Sequence, residues 1–245
     1  MKILTKEGFM AKKQSDTIIV YGSGYSINSL TKRDKAALGE FDSIGFNWFC
    51  KSGIPNTFYM IREQSVTKKR TAEGETVEDL AALLNSDPYI ESCLIIHRMH
   101  HNVKNTFEYA DNLDLFKGSG VVVDDINRKR RRDVSLMTET DIFSDGVLHG
   151  KCSMQNIMHI AHYMDYKQVI FAGLDLYDSR YFWLKKDVAR QSVKQRKQTA
   201  GSKHAISDVV IKMLKDYKHH YPAVGMSVCN PKSLFARIMP IWEAP

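Results

Sequence analysis

The stretch that most constrains the fold is Thr17–Leu30, with the sequence TIIVYGSGYSINSL. It opens with the short β-branched and apolar run Thr17–Val20, which is typical of a strand buried on both faces of a parallel sheet. Gly22 and Gly24 follow at alternate positions. Because neither carries a Cβ atom, they allow a tight turn and a close approach of the backbone to a ligand. The stretch therefore predicts a buried parallel strand that ends in a glycine turn.

A helix is predicted to follow over about residues 30–38, with Ser26, Asn28 or Ser29 as its N-cap. A strand, a glycine turn and a helix start are the elements with which α/β proteins present backbone N–H groups to a phosphate. The GxGxxG fingerprint is incomplete, because Ile27 stands at the third glycine position. Two interpretations stay open, a nucleotide site and a tight strand–helix turn.

The composition fits one α/β domain over residues 1–245, and 43% hydrophobic residues are ample for its core. No apolar run approaches the roughly 18–20 residues of a membrane span. The N-terminal MKILTKEGFMAKK lacks the apolar stretch of a secretory signal. The net charge of +7 indicates an anionic partner. Without CxxC spacing, the cysteines favour reduced thiols in a cytoplasm over disulfides or structural zinc. These cysteines are Cys50, Cys93, Cys152 and Cys229.

Polar side chains follow two further predicted strands. Phe41–Phe49 delivers Asn47 near its end, although a turn residue is the alternative interpretation of this asparagine. Gln168–Ala172 is as apolar as the first strand. In open α/β sheets, ligands collect outside the carboxyl ends of the strands. We therefore expect the residues after this strand to lie at the same edge of the sheet as the glycine turn. They are Gly173, Asp175, Tyr177 and Tyr181.

Two other groups of ligand-type side chains are weak metal candidates. His97, His100 and His101 include an adjacent pair, and adjacent residues on a strand point to opposite faces. No metal is expected there. Asp124 and Asp125 end another predicted strand and would suit magnesium, but a solvated strand end is the favoured interpretation.

Two basic segments stand out. Arg128–Arg132, RKRRR, is either a solvated loop, the favoured interpretation, or a docking surface for acidic lipid headgroups or an anionic polymer. No aromatic residue is interleaved with it, which argues against nucleic-acid stacking. Leu184–Lys203 carries seven Lys and Arg residues and few apolar ones, and we predict a small mobile lid there.

His204 directly follows the predicted lid and precedes the amphipathic pattern of Ile206–Tyr217. The positive end of a helix dipole disfavours the imidazolium form, which suits a general base near neutral pH. Helix capping would also explain a histidine at this position.

The order of these motifs resembles the small bacterial sialyltransferases of glycosyltransferase family 42. The likeness spans Thr17 to Leu234 and is weaker between Arg62 and Gly150. Its residues are Gly22, Gly24, Ser26, Asn47, Ser153, Tyr166, Lys167, Gly173, Asp175, Tyr177, Tyr181, His204, Asp208, Cys229, Asn230, Pro231, Ser233 and Leu234.

This resemblance implies a single Rossmann-like α/β domain of the GT-A-like kind, with a mostly parallel sheet flanked by helices. It implies inverting, metal-independent transfer of sialic acid or a related 2-keto acid sugar from its CMP donor to a glycan acceptor, without a further cofactor. His204 would be the general base, and Tyr177 and Tyr181 would hydrogen-bond the departing phosphate. The remaining expected binding residues are Gly22, Ser23, Gly24, Ser26, Asn47 and Asp175 for the nucleotide end of the site, and Ser153 for the sugar carboxylate.

Three departures from the family pattern leave the identity of the sugar open. Ser23 replaces an asparagine, and Lys151 lies near the place of an arginine. The second asparagine of the family pattern, after the third strand, has no counterpart near Met60. The sequence also leaves open which glycan is the acceptor and whether that glycan is linked to a lipid. It does not determine the linkage formed or the oligomeric state. A peripheral contact with an anionic membrane at its inner face stays a hypothesis, and a nucleic-acid partner is not expected.

Two alternatives remain. The chain also resembles the MptE-like pterin pyrophosphokinases, which share the same fold and glycine turn. An enzyme of that kind would use ATP with magnesium, which Asp124, Asp125 or Asp175 would hold here. A non-enzymatic basic domain would bind an anionic polymer or lipid through the two basic segments.

Overall fold

The computed structural model describes residues 1–46, 48–62, 64–65, 76–98, 106–107, 109–126, 133–149, 152–176, 181–183 and 206–244. The strands are β1 (Lys2–Ile3), β2 (Thr17–Tyr21), β3 (Asp42–Phe46), β4 (Phe58–Arg62), β5 (Gln64–Ser65), β6 (Cys93–Arg98), β7 (Thr106–Phe107), β8 (Ser119–Asp124), β9 (Gln168–Ala172) and β10 (Gly225–Val228). The α-helices are α1 (Lys6–Met10), α2 (Lys32–Leu38), α3 (Val77–Leu84), α4 (Ser153–Tyr163) and α5 (Ile206–His220).

Eight strands form one sheet in the order β1-β8-β6-β4-β3-β2-β9-β10, and every neighbouring pair in it is parallel. Short β5 and β7 pair antiparallel in a separate ribbon. The predicted α/β class with a mostly parallel sheet is confirmed. The predicted lid, 184–203, lies outside the described residues.

The strand order reverses between β2 and β9. From β2 the chain moves outward through β3, β4, β6 and β8, and then returns to place β9 on the other side of β2. Such a reversal leaves a crevice outside the carboxyl ends of the two strands, where open α/β sheets bind ligands. The glycine turn follows β2, so the topology places it at this point.

The central strands are buried on both faces, as their apolar sequences predict. Along β2, Ile18 and Val20 pack into one core cluster, which also contains Ile157 of α4 and Leu214 of α5. Ile19 of the same strand packs into the other cluster, together with side chains of α3. Alternate residues of a strand point to opposite faces, so one short run supplies both cores.

The predicted helix after the glycine turn is wrong in its start and its cap. Residues Tyr25–Ser29 form a 3-10 helix instead, and α2 begins only at Lys32. Thr31 is the N-cap, because its hydroxyl accepts from the Asp34 N–H while the Asp34 carboxylate accepts from the Thr31 N–H. This reciprocal capping box fixes the helix start better than a single side-chain oxygen of Ser26, Asn28 or Ser29 would.

Other boundaries also differ from the sequence prediction. The predicted strand Phe41–Phe49 is shorter, since β3 ends at Phe46 and Phe49–Ser52 is a 3-10 helix. The N-terminal strand β1 and helix α1 were not predicted, because neither segment is long enough to show a clear period.

Tyr166 and Asp42 tie the amino ends of the strands together. The Asp42 carboxylate accepts from the Tyr166 hydroxyl at 2.8 Å and from the backbone N–H groups of Gln14 and Ser15 at 2.8 and 2.9 Å. Burial, together with this carboxylate, raises the pKa of Tyr166 far above its usual value. Tyr166, one of the residues of the family likeness, therefore supports the sheet at the end opposite to the glycine turn.

Candidate functional site at the strand-order reversal

The turns after β2 and β9 join to form the site. The Gly22 N–H donates to the Ala172 carbonyl at 2.8 Å, and the Gly24 N–H donates to the Gly173 carbonyl at 2.7 Å. The two chains approach so closely that a Cβ on Gly24 would lie 2.6 Å from the Gly173 oxygen. Gly173 has a φ of +68°, which favours glycine. The glycines thus allow the close contact between the two turns.

Gly24→Ala should therefore destabilise the protein by about 1–3 kcal/mol, because its methyl group has to displace a backbone carbonyl. Gly225→Ala is the matched control, since its Cβ would meet other atoms only at 3.6 Å or more. Urea unfolding, with circular dichroism as the signal, measures the free energy of unfolding of both variants. Equal stability of the two variants would contradict the close approach of the two turns.

Asp175 holds three segments together. Its carboxylate accepts from the Ser26 N–H at 2.9 Å and from the Asn230 side-chain amide at 2.8 Å, and the side chain is buried. The Ser233 hydroxyl fixes the same turn by donating to the Leu174 carbonyl at 2.6 Å. Asp175 was predicted to bind the nucleotide, and a direct contact with a ligand stays a prediction. In the structure, the Asp175 carboxylate fixes the glycine turn by accepting the hydrogen bond from the Ser26 N–H.

A cavity of about 140 Å³ opens at this junction. It is lined by Ser26, Ser29, Leu30, Asp34, Gly173, Cys229, Asn230, Pro231 and Trp242. The hydroxyls of Ser23 and Ser26 are buried, and no described residue hydrogen-bonds to them. A buried hydroxyl without a partner is costly, which makes both groups candidates for contact with a bound molecule.

Asn230 and Trp242 were not among the predicted site residues. The local motif Cys229-Asn230-Pro231 was the available signal for the first. Trp242 reaches the site because its backbone N–H donates to the Val228 carbonyl at 3.0 Å. This long-range contact leaves no local pattern in the sequence.

Tyr181 lies beside the glycine turn. Its backbone forms a bridge with Gly24, and the next residue, Phe182, donates its N–H to the Ser23 carbonyl at 3.2 Å. The Tyr181 ring stacks on Trp183 with a centroid distance of 4.6 Å and an interplanar angle of 9°. The structure therefore brings together Gly22, Ser23, Gly24, Ser26, Asp175 and Tyr181 of the predicted site.

Ser153 is the first residue of α4 and is buried. Asn47, Tyr177 and His204 lie outside the described residues, so their predicted roles stay predictions. The elements next to them are described: β3 ends at Phe46, directly before Asn47, and α5 begins at Ile206.

The prediction of a solvated strand end is wrong for Asp125, whereas Asp124, the last residue of β8, is half-exposed. Asp124 accepts two hydrogen bonds from the Arg98 guanidinium, at 2.6 and 2.8 Å. The Asp125 side chain is only 6% exposed and contacts the His97 imidazole. His97, Asp125 and His149 could together hold a metal ion, since each offers a ligand atom within 4.8 Å of the others. His100 and His101 lie outside the described residues.

No protein-family model and no curated protein matches this chain. Two solved structures share its fold. One, a single-residue variant of the sialyltransferase CST-II in complex with CMP, has a TM-score of 0.54 at 17% identity, covering 94% of this chain and 86% of the other. The other, the monofunctional α-2,3-sialyltransferase Cst-I from Campylobacter jejuni, has a TM-score of 0.51 at 14% identity, covering 98% and 82%.

These likenesses agree with the resemblance identified in the sequence. At such low identity they establish a common fold, a single parallel α/β sheet flanked by helices.

Proposed function

We propose that the protein is a glycosyltransferase that moves sialic acid, or a related 2-keto acid sugar, from its CMP-activated form to a hydroxyl group of a glycan. The observation that carries the proposal is the cavity at the strand-order reversal, next to the glycine turn that Tyr181 flanks. The Ser23 and Ser26 hydroxyls are buried there and have no hydrogen-bond partner among the described residues. One protein with the same fold was solved in complex with CMP.

The proposed nucleotide site follows from the turn. Gly22 and Gly24 hold this turn against the turn after β9, and the Ser23 and Ser26 hydroxyls supply hydrogen-bond donors. The side chain of Asn47, directly after β3, is expected to complete the nucleotide site from the neighbouring strand. Ser153 at the start of α4 is proposed to bind the carboxylate of the sugar, since helix N-termini favour negative charge.

In the proposed reaction, His204 takes the proton of the acceptor hydroxyl while the oxygen attacks the anomeric carbon. A new carbon–oxygen bond forms there, and the bond between the anomeric carbon and the phosphate oxygen of CMP breaks. The electron pair leaves with the phosphate. Tyr177 and Tyr181 donate hydrogen bonds to this developing charge, a part that preorganised donors can play without a metal.

The pyrophosphokinase alternative needs carboxylates that are available to magnesium. Asp124 is engaged by Arg98, and Asp175 by Ser26 and Asn230. Asp125 lies against the imidazoles of His97 and His149, whereas magnesium prefers oxygen ligands. These pairings favour the glycosyltransferase.

No helix in the described part of the chain is both long and apolar enough to span a bilayer. A peripheral membrane contact through Arg128–Arg132, which lie outside the described residues, remains a separate proposal.

A thermal-shift comparison of CMP, CDP, UDP, ADP and ATP, each with and without added Mg²⁺, tests the proposal. CMP at about one hundred times its Kd should raise the Tm by about 5–10 °C, because ligand binding to the native state then adds about 2.7 kcal/mol. The shift should not depend on Mg²⁺. A larger shift with ATP and Mg²⁺ than with CMP would favour the pyrophosphokinase instead.

A further inference from the structure

We propose that His97, Asp125 and His149 form a binding site for one divalent first-row transition metal ion of the zinc type, separate from the nucleotide site. The three residues come from three different segments. His97 lies on β6, Asp125 directly follows β8, and His149 lies four residues before α4 begins.

The fold brings these segments together through the backbone. Beyond β8, Asp125 forms a parallel bridge with Val147, and the Ile126 N–H donates to the Val147 carbonyl at 3.0 Å. This extension of the sheet places His149 next to the carboxyl ends of β6 and β8. The centroids of the His97 and His149 rings then lie 5.1 Å apart, and His97 Nε2 lies 2.5 Å from Asp125 Oδ1.

The three side chains are withdrawn from water. The side chains of His97 and Asp125 are 0% and 6% exposed, and His149 as a residue is 4% exposed. Asp125 Oδ2 and His97 Nδ1 are buried, and no described residue hydrogen-bonds to either of them. A buried carboxylate oxygen without a donor is costly, and a cation at the cluster would remove that cost.

Asn156 fixes the tautomer of His149. Its side-chain amide donates to the Leu148 carbonyl at 3.2 Å, which turns its oxygen towards His149 Nδ1 at 2.8 Å. Nδ1 must then carry the proton, and the lone pair is on Nε2. Metal-bound histidines are oriented in this way, by a hydrogen bond from the other ring nitrogen to an oxygen.

The donor set selects the class of ion. Two imidazoles and one carboxylate suit zinc and its first-row neighbours, whereas magnesium prefers oxygen ligands in a near-octahedral arrangement. A tetrahedral ion with bonds of about 2.0–2.1 Å has its ligand atoms roughly 3.3–3.5 Å apart. The contacts in the cluster, from 2.5 Å to at most 4.8 Å, bracket that spacing.

The site is distinct from the nucleotide site. β6 lies three strands from β2 in the sheet, which is about 14 Å at the usual strand spacing. An ion there would instead tie the ends of β6 and β8 to the segment that leads into α4. The inference does not depend on the proposed function.

Isothermal titration of the chelator-stripped protein with Zn²⁺ tests the proposal. We expect one tightly bound ion per chain. Asp125→Asn and His149→Gln should each weaken it by at least about 100-fold, since even residues that only support a metal ligand change affinity by 10–100-fold. His219→Gln is the matched control, because His219 is an exposed histidine at the end of α5, and this variant should bind zinc as the wild type does.

Co²⁺ in place of Zn²⁺ gives a second readout that needs only the wild-type protein. The visible spectrum should show a low-symmetry, nitrogen- and oxygen-ligated ion without a thiolate charge-transfer band. Weak, multiple binding in the wild type, or unchanged affinity in both cluster variants, would overturn the proposal. The CMP thermal shift is measured separately, so failure of one proposal leaves the other standing.

Discussion

Replacement of His204 by alanine is expected to abolish sugar transfer and to leave the affinity for CMP nearly unchanged. The proposed base contacts the acceptor hydroxyl and not the nucleotide, so its loss affects the chemical step alone. Transfer to an acceptor glycan measures the first quantity, and CMP titration measures the second. Of the nine histidines in the chain, His204 alone lies between a basic segment and the amphipathic helix α5, which begins two residues later at Ile206.

A capping role predicts a different outcome for the same variant. Loss of a cap lowers the free energy of unfolding by about 1 kcal/mol and leaves catalysis intact. His204→Ser separates the two roles, because serine is a good N-cap but no base near neutral pH. We expect His204→Ser to be as inactive as the alanine variant. A His204→Ala protein that melts earlier yet transfers sugar at the normal rate would refute the base assignment.

Tyr177→Phe and Tyr181→Phe are each expected to lower kcat by about 10²-fold, the usual effect of removing one preorganised donor to a developing negative charge. Only a hydroxyl is lost, and the stacking of the Tyr181 ring on Trp183 should persist. Steady-state kinetics with the CMP-sugar donor measure the change. Because the donors act mainly in the transition state, KM should change far less than kcat.

Tyr221→Phe is a suitable control for these variants. Its hydroxyl donates to the Val134 carbonyl at 2.8 Å, next to α5 and away from the glycine turn. Its loss should lower stability without lowering kcat. Full kcat in both the Tyr177 and the Tyr181 variants would show that the phosphate leaves without help from these hydroxyls.

The sequence predicted those parts of the fold in which one short segment carries its own signal. Thr17–Val20 and Gln168–Ala172 are apolar runs too short for anything but buried strands, and both are strands of the central sheet. Ile206–Tyr217 shows an amphipathic pattern and lies in α5. Once β2 and β9 are known to be parallel, the glycine turn and Asp175 must lie at one edge, and this prediction is confirmed.

Features that depend on pairing between distant residues could not be predicted. Asp125 was predicted to end a strand, and its side chain was therefore expected to be exposed to solvent. The fold instead places His97 and His149 against it. Nothing local in the sequence connects these three positions. The cap of α2 was missed for a different reason, because Thr31 and Asp34 form a local reciprocal pair, and single capping residues were considered instead. The roles of Asn47, Tyr177 and His204 stay predictions.

The hydrogen bond between Ser26 and Asp175 joins residues 149 positions apart in the sequence. At a synthesis rate of about 5–20 residues per second, the glycine turn leaves the ribosome about 7–30 s before the strand that completes it. Until then, β2 has its partner β3 on one side only, and its other edge is exposed. Contacts of such long range slow folding. An amino-terminal fragment that contains the whole glycine motif would therefore lack the Asp175 side of the proposed nucleotide site.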